Sequence, residues 1–188
     1  PHTILGECEK NGKTIYYPEI DYKILGGVTI DNGTLELNDL SDELNHLADK
    51  SLYIPNITCT GNSVIKVYTD NVAIGSITNT GTLSILIEHQ GTPLEITERL
   101  TNTGTVNIIG KKDNTEALNA YMVENSSDLN IVDTKLCVKG NMVNDGGING
   151  TLELCGDGSQ PYENGYFQYG QQCLTGEGTI NNLILNNE

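Results

Sequence analysis

The chain has no tryptophan, one phenylalanine and a single arginine, and each shortage closes off a class of protein. With 5% aromatic and 37% hydrophobic residues over 188 positions, a compact core packed on large rings is excluded. Ten basic residues against 25 acidic ones give a formal charge of −15, and Arg99 is the only arginine. Phosphate neutralisation needs clustered Lys and Arg, so nucleic acid is excluded as a partner. No run approaches the ~20 apolar residues of a membrane span, and no polybasic segment offers itself to a lipid surface.

Cysteine is present without a pattern. Cys8, Cys59, Cys137, Cys155 and Cys173 are odd in number and lack CxxC spacing, which removes zinc and thioredoxin-type readings. Disulfides in an oxidising compartment would leave one thiol over. The chain starts at Pro1 with no hydrophobic leader, as expected of a mature processed chain or an excised segment.

What is present is a recurrence. A turn, then Thr or a substitute, then alternating aliphatics, appears at Gly33-Thr34-Leu35-Glu36-Leu37, Asn62-Ser63-Val64-Ile65, Gly81-Thr82-Leu83-Ser84-Ile85 and Gly104-Thr105-Val106-Asn107-Ile108. It returns at Ser127-Asp128-Leu129-Asn130-Ile131, Gly150-Thr151-Leu152-Glu153-Leu154 and Gly178-Thr179-Ile180. Leu83, Val106, Leu129 and Leu152 follow one another at three equal steps of 23 residues. A fixed period of this size is the signature of a solenoid.

Within a period, short alternating runs are separated by polar corners, with one side chain in two facing inward. The expected fold is all-β, a right-handed parallel β-helix of about seven coils with a period near 23 residues. Two columns should stack along it. One is Thr34, Ser63, Thr82, Thr105, Asp128, Thr151 and Thr179; the other is Asn79, Asn102 and Asn125, whose amides can bond up and down the stack.

The departures from the period read as additions. Leu40, Leu44, Leu47 and Ala48 fall on one helical stripe, predicting a short inserted helix near 40–50. Residues 156–172 are rich in Gly and Tyr and predict a protruding loop on the solenoid of 26–188. Residues 1–25 are expected to cap its start.

Candidate sites fall on these irregularities. Tyr162, Tyr166, Phe167 and Tyr169 could stack on sugar rings or anchor a protein, or could simply belong to the last coil and shield its side. Ile180, Leu183, Ile184 and Leu185 form an uncapped last repeat, expected to associate with itself, head to tail. Cys155 and Cys173 flank the loop and are a candidate disulfide, with Cys137 as the competing partner.

Catalysis has little to stand on. Asp31, Asp70, Asp128, Asp133 and Asp145 are scattered singly, while hydrolases of this shape need carboxylates converging on a groove. His2, His46 and His89 share no ligand spacing. No cofactor or metal site is expected, beyond loosely bound calcium at Asp145-Gly146-Gly147 and Gly156-Asp157-Gly158. An ice-binding Thr array would rest on Thr80-x-Thr82 and Thr103-x-Thr105, and it degrades in the following repeats.

The units Ile77-Thr78-Asn79-Thr80-Gly81-Thr82-Leu83-Ser84-Ile85 and Leu100-Thr101-Asn102-Thr103-Gly104-Thr105-Val106-Asn107-Ile108 resemble repeats of secreted bacterial surface proteins. Gly176-Glu177-Gly178-Thr179-Ile180 looks like the turn of the same adhesin-like class. The resemblance spans roughly residues 26–185 and implies a right-handed parallel β-helix with no binding residues attached. Its functional implication is an extracellular structural or adhesive protein of the bacterial cell surface, a segment of an adhesin or a filament subunit. A carbohydrate-binding or polysaccharide-cleaving β-helix is the alternative. Partners would be further copies of itself, or a cell-surface glycan or protein.

Overall fold

The computed structural model describes residues 6–10, 13–17, 22–23, 26–37, 52–70, 72–89, 91–111, 118–155, 160–161, 167–168 and 173–185. The strands begin with β1 (Gly6–Lys10), β2 (Lys13–Tyr17), β3 (Tyr22–Lys23), β4 (Val28–Asp31), β5 (Thr34–Leu37), β6 (Leu52–Thr60) and β7 (Asn62–Val67). Next come β8 (Val72–Asn79), β9 (Thr82–Ile87), β10 (Leu94–Asn102), β11 (Thr105–Ile109), β12 (Leu118–Asn125) and β13 (Asp128–Val138). The order ends with β14 (Met142–Asn144), β15 (Gly147–Leu154), β16 (Gln160–Pro161), β17 (Phe167–Gln168), β18 (Leu174–Thr175) and β19 (Thr179–Leu185). There is no helix among the described residues, and the helix expected near 40–50 lies outside them.

Fifteen strands make one parallel sheet that winds back on itself like a solenoid. Its pairings sort into three ladders. The first joins residues 52–54, 72–74, 94–96, 118–120, 136–138, 152–154 and 183–185. The second joins 28–31, 57–60, 76–79, 99–102, 122–125, 142–144 and 174–175. The third joins 34–37, 62–67, 82–87, 105–109, 128–132, 147–149 and 179–180. Outside this sheet, β1 pairs β2 and β16 pairs β17, both antiparallel.

Alternation decides the interior. In β9 the residues Leu83, Ile85 and Ile87 are buried while Ser84 and Leu86 are half-buried on the other side. Across strands the buried positions stack like on like: Ile54, Ile74, Ile96, Ala120 and Val138 form one core column. The core is therefore a stack of aliphatic layers about 4.8 Å apart, which is how a chain poor in aromatics fills an interior.

The observed register corrects the expected Thr column. Leu83, Val106 and Leu129 do share a column, but the next member is Ile148, and Leu152 pairs with Leu136 and Leu183 on another ladder. The third step of 23 was thus a coincidence of wording. Gly150, at φ +121°, already turns the following corner, where a Cβ would collide with the Ile131 carbonyl. Ser63, not Val64, stands beside Leu83, and Thr34 pairs with Val64. The column that forms is Asn62, Thr82, Thr105, Asp128, Gly147 and Thr179.

The Asn column forms as expected and gains a member. Asn79, Asn102, Asn125 and Asn144 are all buried. Each Nδ2 donates to the next Oδ1, at 2.9, 2.8 and 2.8 Å, across sequence separations of 23, 23 and 19. The same nitrogens also donate to backbone carbonyls, such as Asn79 to Gly81 at 3.0 Å and Asn125 to Ser127 at 2.8 Å. Four inward-facing polar residues are therefore satisfied as one chain of amides, the condition for burying them without penalty. Beside them the turn is tight: a Cβ on Gly104 would strike the carbonyl of Gly81 in the strand pair below. This requirement explains the Asn-Thr-Gly phrase.

A second amide ladder runs along the outside. Asn130 donates to Asn107 at 2.9 Å, Asn149 to Asn130 at 3.0 Å and Asn181 to Asn149 at 3.0 Å.

Candidate binding groove and exposed edge

The outward face of the second ladder carries the true threonine array. Thr29, Thr58, Thr78 and Thr101 pair in register, followed by Glu124, Val143 and Thr175. Thr60, Thr80 and Thr103 come two residues later on the same three levels, and backbone bonds from Thr80 to Cys59 and Thr103 to Asn79 keep them aligned. Threonine doublets thus stack three deep before Glu124 and Ser126 replace them.

Next to this array the sheet is broken. Between Ile96 and Arg99 the register of β10 shifts against both β8 and β12. β8 has only Gly75 at this corner and β12 only Tyr121, while β10 has Thr97 and Glu98. One extra residue makes a β-bulge, which redirects side chains and is frequent beside functional sites. Here it turns Glu98 outward, where its Oε2 accepts a 2.8 Å bond from the Ser76 hydroxyl. Gly75 is required at its own level because a Cβ would meet the Pro55 carbonyl and the Tyr53 hydroxyl.

An open groove of about 520 Å³ lies across β8, β10 and β12 at this point. Hydroxyls of Ser76, Thr78, Thr97 and Thr101 line it, together with Glu98, Arg99, Tyr121 and Met122. Arg99 and Glu124 form a half-exposed ion pair at 3.3 Å, and Thr101 donates to the same carboxylate at 3.3 Å. The sequence shows Arg99 only as the single arginine of the chain. Its ion-pair partner Glu124 comes from the neighbouring strand β12, and only the register brings the two together.

The first ladder has its own polar cluster on the outside. Glu95 accepts from Asn119 at 2.8 Å and pairs with Lys139 at 3.2 Å. Lys135 pairs with Glu153, which is buried. Here Cys155 is bonded to Cys137, with Cα atoms 5.8 Å apart. The expected Cys155–Cys173 bridge is replaced by its competitor because Cys137 pairs with Glu153, placing Cys155 just beyond it. Cys173 lies by the second ladder, where its N–H donates to Asn141 at 3.2 Å, and its thiol is free and exposed. Cys59 is free and buried, and burial pushes its thiol up to about 11.

Of the expected aromatic site, Phe167 is placed in β17 opposite Pro161, while Tyr162, Tyr166 and Tyr169 lie outside the described residues. The expected association end is visible. Leu183, Ile184 and Leu185 are exposed and Ile180 is half-buried, and β19 pairs with β15 along one edge only among the described strands. The scattered acids stay scattered: Asp31 takes a 3.1 Å bond from Thr60, and Asp70 holds His89 at 2.8 Å and the Thr92 N–H at 3.1 Å. Among the described residues no three His, Cys, Asp or Glu gather as a metal site. No family model, curated protein or solved structure matches the chain.

Proposed function

We propose that the chain is an extracellular structural and adhesive β-solenoid of a bacterial cell surface, working as an adhesin segment or as a filament subunit stacking end to end. In this reading the fold is a right-handed β-helix of about seven coils with a period near 23 residues, and it does no catalysis. The observation that carries the proposal is the edge of β19. Its sequence Thr-Ile-Asn-Asn-Leu-Ile-Leu has neither charge nor proline, the usual defences of an exposed edge. Leu185 continues the core column of Val138 and Leu154, and Asn181 continues the outer amide ladder. In this reading a second copy pairs with that edge.

Sedimentation velocity over a concentration series tests this. The expected result is association of the chain that Leu183→Lys with Leu185→Lys abolishes. A wild-type chain that remains monomeric at every concentration sinks end-to-end stacking.

The ice-binding reading has less support. Its Thr80-x-Thr82 and Thr103-x-Thr105 steps straddle the corners at Gly81 and Gly104, so each pair is split between the end of the second ladder and the start of the third.

A further inference from the structure

We propose that the groove over β8, β10 and β12 binds a short neutral oligosaccharide, with Tyr121 as its platform and Arg99, Glu98 and Glu124 as its polar clamp. The assignment deepens the adhesive reading and rests on it, since it supplies what the rod would hold.

The chemistry of the lining selects the ligand class. Ser76, Thr78, Thr97 and Thr101 present hydroxyls that both donate and accept, matching the vicinal hydroxyls of a sugar. Arg99 offers a planar fork of donors and the two carboxylates offer acceptors, so adjacent hydroxyls can be gripped from both sides. Tyr121 supplies a ring for the apolar face of a pyranose, and Met122 adds polarisable surface next to it.

Charge excludes the other candidates. The groove is lined by one cation, Arg99, and one carboxylate, Glu98, and Glu124 beside it is paired with that cation, on a chain of net charge −15. Uronates, phosphates and sulfated glycans would be repelled. A wholly apolar ligand would displace water from the exposed hydroxyls of Thr78 and Thr97 and from the open side of the ion pair without replacing its hydrogen bonds. A neutral glycan satisfies them.

Size agrees. Three adjacent parallel strands span about 10 Å, room for a di- or trisaccharide laid across them. The volume of about 520 Å³ is within the range of small-ligand sites. The clamp is already assembled: the Ser76–Glu98, Thr101–Glu124 and Arg99–Glu124 contacts exist without ligand. Little ordering is therefore left to oppose binding. The extra residue of β10 gains a purpose, because without it Glu98 would not reach the groove.

The test is titration calorimetry of the full chain with cellohexaose, xylohexaose, mannohexaose, laminarihexaose and maltohexaose, and with hexagalacturonate as the anionic control. At least one neutral probe should bind and hexagalacturonate should not. Tyr121→Ala and Arg99→Ala should each weaken binding about tenfold or more. Glu98→Gln, on the exposed bulge, should weaken it with an unchanged melting temperature, separating loss of contact from loss of fold. Lys66→Ala on the third ladder should change nothing. The proposal is overturned if no neutral probe binds, if only the uronate binds, or if the groove variants bind as well as wild type. Sedimentation reports on stacking separately, so a failed groove and a failed rod are told apart.

Discussion

Asn102 occupies the middle of the buried amide ladder, taking a bond from Asn79 and giving one to Asn125. Asn102→Ala takes the donor from the buried Asn125 Oδ1 and from the Asp128 carbonyl and the acceptor from the Gly104 N–H, while Asn79 keeps its bonds to the Gly81 and Thr105 carbonyls. Each group left unsatisfied costs about 1–3 kcal/mol. Urea denaturation should therefore show a loss of roughly 3 kcal/mol or more. Asn107→Ala, in the outer ladder, should cost well under 1 kcal/mol by roughly the same reasoning, because water replaces the lost partner. Cys59 makes a second prediction at this scale. Its thiol is fully buried and raised from 9.0 to about 11, so the neutral form is favoured by folding. The unfolded chain then gives up this proton first as pH rises. The stability contributed by the neutral thiol is complete below pH 9.0 and is lost as pH climbs toward about 11. Cys59→Ala should flatten that part of the alkaline denaturation profile. At pH 8, iodoacetamide should alkylate exposed Cys173 while leaving Cys59 untouched until denaturant is added.

The elements are held by pairing and by one covalent tie. The Cys137–Cys155 bond closes a loop with a sequence separation of 18. A loop of that length contributes about 3 kcal/mol by the chain-entropy argument. Reduction, or Cys155→Ser, should lower the melting temperature accordingly, whereas Cys173→Ser should not. This scale also shows how far the sequence could be read. The alternation of Leu83-Ser84-Ile85 and Val106-Asn107-Ile108 predicted parallel strands, and the amide column followed from three equally placed Asn-Thr-Gly or Asn-Ser-Ser corners. Asn144 was missed because its level is only 19 residues on, with Asp145 replacing Thr or Ser after the Asn. Leu152 was misplaced for the same reason, since a short level let Gly-Thr-Leu recur at the next corner. The groove was invisible because a bulge is defined by two neighbours. Thr97-Glu98 is an extra residue only when counted against Gly75 and Tyr121.

At the scale of the whole molecule, function is expected on what interrupts the stack. The scaffold is repetitive and its stability accumulates from level to level, so the flank and the edge are free to vary. The high negative charge opposes lateral contact between copies, while β19 itself carries no charge, as the proposed end-to-end contact requires. Both proposals depend on the register that stacks β8, β10, β12 and β14 in parallel. Hydrogen exchange of side-chain amides, followed by NMR, tests that register most directly. The Nδ2 protons of Asn79, Asn102, Asn125 and Asn144 should exchange orders of magnitude more slowly than those of Asn181 on the exposed edge. Equal, rapid exchange at all five residues would contradict the stacked amide ladder, and with it the parallel solenoid.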